Sequence, residues 1–193
     1  MPDIAVLVNG ESLFHDPIDA VLYNKGIFTV DFDGAFPAST ANVFVMRALG
    51  MQLKDIARVL HYSDTSDVKL HSDMAIDSLG APNMSAATGT AFDFGNFDVG
   101  KAAQARRSLT TIQHTVLCGM ALGQSIEEIA ETTGKQPTTI KTQQKDLRGH
   151  LGGAPNAPSA VVLGHLTGVL QPQPVGDEDY NLLQQTLRIG TQG

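Results

Sequence analysis

The segment LTTIQHTVLCGMALGQSIEEIAETTGKQPTTIKTQQKDLRGHLG, residues 109–152, carries the start and stop signals of three helices in succession. Thr110-x-x-Gln113 is a capping-box pattern, in which the two side chains reciprocally satisfy backbone N–H groups at the start of a helix. Ile112, Val116, Leu117, Met120 and Ala121 follow at helical spacing, and Gly123 ends the run. Ser125-x-x-Glu128 repeats the pattern before a short helix carrying Ile126, Ile129 and Ala130, which Gly134 stops. Pro137 suits the first turn of a third helix, over 137–151, because the N–H it lacks has no intrahelical partner there. Ile140, Leu147 and Leu151 share one face of that helix. Beyond the loop GGAPNAP a fourth helix, rich in Val and Leu, is expected over 159–170.

The same words occur earlier in the chain. Ala48-Leu49-Gly50 and Ile56-Ala57 recur 73 residues later as Ala121-Leu122-Gly123 and Ile129-Ala130. Val68-Lys69 and Leu79-Gly80 recur at 72 as Ile140-Lys141 and Leu151-Gly152, and Gly80-Ala81-Pro82-Asn83 returns at 73 as Gly153-Ala154-Pro155-Asn156. The one-residue slips fall in the turn SDTSD and at the paired glycines, where loops tolerate changes of length. The expected fold is therefore mainly α, with two tandem four-helix modules over residues 36–100 and 101–170.

A β-prone segment, 1–35, precedes them. Its runs IAVLVN and GIFTVDF read as a pair of strands, and because a lone hairpin is marginal in water they should cover a helical surface or pair with another chain. Residues 171–193 read as a linker followed by a short helix, DEDYNLLQQTLRI, whose Leu182, Leu183, Leu187 and Ile189 form a stripe suited to a core or oligomer contact.

Two short helices joined by a glycine-bearing turn, the second polar and basic on its outer side, form the helix-turn-helix pattern. Residues 109–170 resemble the LuxR-type (GerE-like) four-helix DNA-binding domain of bacterial response regulators and quorum-sensing regulators. The resemblance is carried by Leu109-Thr110, Ala121 to Gly123, Glu128-Ile129-Ala130, Thr139-Ile140-Lys141, Leu151-Gly152 and Gly168-Val169-Leu170, in that order. A weaker version covers residues 36–97, so the chain looks like a tandem duplication with a second copy close to the family pattern and a degenerate first copy. Three departures stand out: Gln113 replaces the usual glutamate, Gln143 a common histidine, and Gln144 a normally apolar residue whose loss loosens the packing of the third helix.

Reading DNA requires donors aimed at base edges beside cations that neutralise phosphates. Lys141, Thr142 and Lys145 stand at i, i+1 and i+4, opposite Ile140 and Leu147, and the resemblance implies that these three enter the major groove. Lys135, Thr139, Gln143 and Arg148 are assigned by the same resemblance to the phosphate backbone. Neutralising four phosphates would give affinity a slope of roughly -3 to -4 against log salt, and about double that for a dimer. The family's fourth helix implies a homodimer contact through Ala160, Val161, Leu163 and Leu166; these residues equally suit closure of the four-helix core.

The first copy keeps Val68, Lys69 and His71 but sets Asp73 where the second has Lys145, and adds Asp64, Asp67 and Asp77. Carboxylates facing phosphates repel them, so this copy is expected to serve as a packing partner, a dimer contact or a site for a protein ligand. The charge of the chain is split in the same way. Its formal net charge is -7, yet residues 101–170 hold seven basic and four acidic side chains while 1–36 hold one and six.

The remaining chemistry is sparse. Cys118, the single cysteine, lies among apolar neighbours and excludes an intramolecular disulfide or a CxxC site, and the six histidines have no metal-binding spacing. No GxSxG elbow or phosphate-cradling glycine loop in a strand-to-helix context appears, so no enzyme, cofactor or metal is expected. No apolar run reaches the ~20 residues of a membrane helix and no basic signal-peptide start is present, which points to a cytoplasmic protein without a membrane partner. The expected function is bacterial-type transcription regulation, by sequence-specific binding of double-stranded DNA through the second module. The rival expectation is a helix-turn-helix adaptor that grips another regulator or the transcription machinery through its acidic surface.

Overall fold

The structure, a computed structural model, describes residues 6–8, 11–12, 28–30, 36–98 and 108–172. Eight helices fall in the described residues and account for most of them, so the fold is mainly α. They are α1 (Ala38–Ala48), α2 (Leu53–Val59), α3 (Thr65–Ser78), α4 (Met84–Asp93), α5 (Thr111–Ala121), α6 (Ile126–Thr133), α7 (Pro137–His150) and α8 (Ala157–Leu166). The expected C-terminal helix lies outside the described residues.

Local chemistry accounts for the helix ends. The boxes expected at Thr110–Gln113 and Ser125–Glu128 are both formed. Pro137 occupies the first turn of α7, and Gly134 closes α6 in the left-handed conformation. The start of α8 differs from the expected residue 159. Asn156 caps it through Ser159 in a third capping box, so the helix begins two residues earlier and Pro158 takes a first-turn position.

The helices form two series of four. α1 and α5 have 11 residues each, α2 and α6 have 7 and 8, α3 and α7 have 14 each, and α4 and α8 have 10 each. Their first residues are 38 and 111, 53 and 126, 65 and 137, and 84 and 157, the same offsets of 73 or 72 that the repeated words show. In each series the third helix packs on the first and second.

Between the series, α4 packs on α8 and α5, and α8 packs on α1. The contact is reciprocal. A Cβ on Gly50 would lie 2.5 Å from Pro155 Cγ, and a Cβ on Gly123 would lie 2.6 Å from Pro82 Cγ. Each Gly-Ala-Pro-Asn loop therefore seats its proline on the Ala-Leu-Gly turn of the other copy, where only a side-chain-free residue with positive φ fits. Asn83 adds a hydrogen bond from its Nδ2 to the Gly123 carbonyl, 2.9 Å long. Phe92 and His165, which occupy corresponding positions 73 apart, stack on one another with ring centroids at 4.0 Å. A residue that stacks on its own counterpart marks an approximate two-fold axis, as in an isologous dimer, but within one chain.

This arrangement bears on the two roles expected of the fourth helix, a dimer contact or closure of the core. Ala160, Val161 and Leu163 are buried and Leu166 is half-buried, in a helix enclosed by α1, α4, α5 and α7 of the same chain. Burial of the first three fits the second of those roles, closure of the core. One apolar core runs through both copies, from Phe36, Phe44 and Leu49 to Leu117, Ile129, Leu147 and Leu163. Full burial of each such side chain is worth about 1.5–3 kcal/mol. A smaller second cluster, Val43, Met46, Ile56, Ala57 and Val68, belongs to the first copy alone.

The strands expected at the N-terminus are present as β1 (Val6–Val8) and β3 (Phe28–Val30), but they run parallel rather than as a hairpin. β2 (Glu11–Ser12) pairs with β1, and β3 pairs with β4 (Phe97–Asp98), which directly follows α4. The expected choice between a helical surface and another chain is thus met by a strand of the same chain. Phe97 anchors that edge by stacking on Phe44 at 5.5 Å and meeting Phe92 edge-on at 5.2 Å.

Candidate nucleic-acid interface

The rotation of α7 follows from its apolar anchors. Ile140, Leu147 and Leu151 are buried on the inner side, which turns Lys141, Thr142 and Lys145 outward, and all three are exposed. Gln144, at the position expected to be apolar, is half-buried, and the helix keeps its inward face without it. Upstream, the left-handed Gly134 lets the Lys135 N–H bond the Ala130 carbonyl at 3.0 Å, and the exposed Lys135 then lies at the turn between α6 and α7.

The assigned residues are not equivalent in the fold. Lys135, Thr139, Lys141, Thr142 and Lys145 are exposed, whereas Gln143 and Arg148 are half-buried. Arg148 donates from its guanidinium to the Pro155 carbonyl at 3.2 Å, so part of its donor set ties the end of α7 to the loop that seats on the first copy. The Thr142 hydroxyl donates to the Thr138 carbonyl at 3.1 Å and leaves its acceptor lone pairs outward. Lys145 also borders an open groove between the start of α5 and the second half of α7, lined by Ile112, Gln113, Gln143, Asp146 and His150 among others.

The lysines of this surface form no ion pair among the described residues. Among the described residues the one ion pair is Arg58–Asp55 in α2, at 3.2 Å, so Lys135, Lys141 and Lys145 have no carboxylate partner there. The positive region is nonetheless narrow, since α6 exposes Glu127, Glu128 and Glu131. The Glu128 carboxyl is held below the usual carboxylate range by its hydrogen bonds at Ser125. The surface thus joins cations of α7 and its preceding turn to carboxylates of α6 and to the exposed Asp146 of α7.

The corresponding helix of the first copy is α3, anchored by buried Val68, Ala75 and Leu79. Its lysine, Lys69, is exposed, but Asp73 and Asp77 are exposed beside it and Asp67 is half-buried. Asp64 is exposed and also has a local role. It caps α3 by accepting from the Ser66 N–H and hydroxyl, and those bonds hold its carboxyl low. His71 turns inward, sharing a 2.9 Å hydrogen bond with Thr40 and stacking on Tyr62. Two outward residues of α3, Leu70 and Met74, escaped the sequence reading; their signal was apolar side chains at positions opposite the Val68–Leu79 face.

Other chemistry is limited. Among the described residues there is no group of three or more His, Cys, Asp or Glu placed to hold a metal, and no helix long and apolar enough to cross a membrane. Cys118 is half-buried with its Sγ 3.6 Å from His114 Nδ1, and burial pushes the thiol up, away from the reactive thiolate. No protein-family model, curated protein or solved structure matches the chain, so the resemblance to LuxR-type domains rests on the residues quoted above.

Proposed function

We propose that this chain is a transcription regulator that binds double-stranded DNA in a sequence-dependent manner, with α7 as the helix that enters the major groove. One observation carries the reading. Lys141 and Lys145 stand one turn apart on the exposed side of a helix locked by Ile140 and Leu147, and neither has a carboxylate partner among the described residues. Lys135 at the preceding turn and the remaining donors of Arg148 extend the same surface toward phosphates.

The reading differs in one respect from that of a symmetric dimer. The two helix-turn-helix copies already meet through α4 and α8; the second presents Lys141 and Lys145 on its third helix, whereas the first sets a single exposed lysine, Lys69, beside the exposed Asp73 and Asp77. One chain would then read one half-site, rather than a palindrome read by two identical halves. The test is selection of bound fragments from random DNA, followed by fluorescence titration of the selected site at two salt concentrations. A non-palindromic selected site, with affinity that falls steeply with salt, is the expected result. Undetectable binding at low salt to both selected and random DNA would replace this reading with that of an adaptor.

A further inference from the structure

We propose that the outer face of α3 is a protein-docking surface for a basic amphipathic helix, that is, a helix of another protein with leucine-like anchors flanked by Lys or Arg. Leu70 is 58% exposed and Met74 38% exposed, one turn apart on the same face. Apolar side chains of this size cost solvation when left in water, and three of the four large hydrophobics exposed in the described residues lie on α2 or α3, the third being Val59. The duplication supplies an internal reference. The counterparts of Leu70 and Met74 on α7 are Thr142 and Asp146, so this fold position has no structural need for an apolar residue.

Charge selects the occupant. The residues one turn from Leu70 are Ser66, Asp67, Asp73 and Met74, and Asp77 lies one turn beyond Asp73. Asp67, Asp73 and Asp77 have no ion-pair partner among the described residues, and the one lysine of α3, the exposed Lys69, leaves the helix net negative. A nucleic acid or an anionic bilayer would be repelled by such a face. A second α3 would bring carboxylate against carboxylate. The α7 of a second chain has the right charge, but Thr138, Thr142 and Gly149 at the centre of its outer side offer nothing to cover Leu70 and Met74. Cations around an apolar stripe satisfy both features at once, in the helix-on-surface mode of peptide recognition. The proposal stands independently of DNA binding, since it uses neither α7 nor its lysines.

The test uses the full chain and three synthetic helical peptides: one with Leu at i, i+4 and i+7 flanked by Lys, one with the same Leu and Glu for Lys, and one with the same Lys and Thr for Leu. Only the Lys/Leu peptide should bind, with amide shifts centred on α3. Leu70→Gln with Met74→Gln should weaken it roughly tenfold or more. Asp73→Asn with Asp77→Asn should weaken it severalfold and flatten its salt dependence. Lys141→Ala with Lys145→Ala should leave it unchanged, and helicity by circular dichroism should confirm that each variant folds. Equal binding of the Lys/Thr peptide, or no loss with Leu70→Gln and Met74→Gln in a folded protein, would overturn the proposal. So would concentration-dependent self-association that the same pair abolishes, because a second copy would then be the occupant.

Discussion

α3 and α7 occupy the same place in two copies of one arrangement and differ almost entirely on the side that faces water. Inward, Val68, Ala75 and Leu79 do the work of Ile140, Leu147 and Leu151. Outward, Asp73 stands against Lys145, Met74 against Asp146, and Leu70 against Thr142. The inner face of each helix must match its neighbours to keep the core closed, whereas the outer face is constrained only by what binds there. Apart from inward exchanges such as His71 for Gln143 and Ser72 for Gln144, the divergence lies on the outer face, as specialisation of two recognition surfaces on a shared scaffold would produce.

The comparison is broken or sharpened most strongly at the lysines. Lys141→Ala with Lys145→Ala is expected to cost about 3 kcal/mol of DNA affinity, on the order of a hundredfold, while Lys69→Ala in the first copy should change it little. Anisotropy titrations at fixed salt measure both; equal losses would erase the asymmetry between the copies.

Next comes the approximate axis, where the copies differ as Phe92 and His165. Burial pushes the His165 imidazole down to about 4 from an ordinary 6.5, and its Nδ1 has no hydrogen-bond partner among the described residues. The unfolded chain takes up this proton near pH 6.5 and the folded one only near 4. Stability is therefore undiminished above 6.5 and falls as pH drops toward 4, by up to ~3 kcal/mol from this group. His165→Phe, which places the same ring on both sides of the axis, should remove that part of the pH dependence in urea unfolding between pH 7 and 4. Parallel profiles for the two proteins would show that the ring is not held as described.

A smaller effect tests the reciprocal loops. Gly123→Ala should cost about 2–3 kcal/mol, from the left-handed backbone and the clash with Pro82 and Ala86 together. Gly134→Ala, also left-handed but with open space around it, should cost only about 1 kcal/mol. Similar losses in thermal unfolding would mean that Pro82 does not seat on that turn. The mildest is Asn83→Ala, at about 1–2 kcal/mol for the lost cap and the bond to Gly123. Asn156→Ala, which loses only the cap on its own helix, should lose about 1 kcal/mol.

Much of the fold was legible because its signals are local. A capping box, a left-handed glycine and an apolar side chain every third or fourth residue act within one or two turns, so α5, α6 and α7 lay where the residues placed them. So did the exposure of Lys141 and Lys145, which follows once Ile140 and Leu147 face inward. Asp64 was legible as a charge but not as a cap, because a carboxylate at the start of a helix has two uses, and only the path of the chain shows that it caps. The parallel pairing of β1 with β3 was likewise invisible, since it depends on contacts between segments distant in sequence.

By itself, then, the amino-acid order determined that two similar sets of four helices would form and that positive charge would gather on one of them. What it left open was which surfaces meet. The repeated Gly-Ala-Pro-Asn and Ala-Leu-Gly words were visible as repeats, but their mutual docking, the packing of α8 on α1 and α4, and the stacking of Phe92 on His165 were settled only in three dimensions. The physical reason is that capping and periodicity act over one or two turns, whereas a contact between elements some 73 residues apart depends on the shape that all the elements present together.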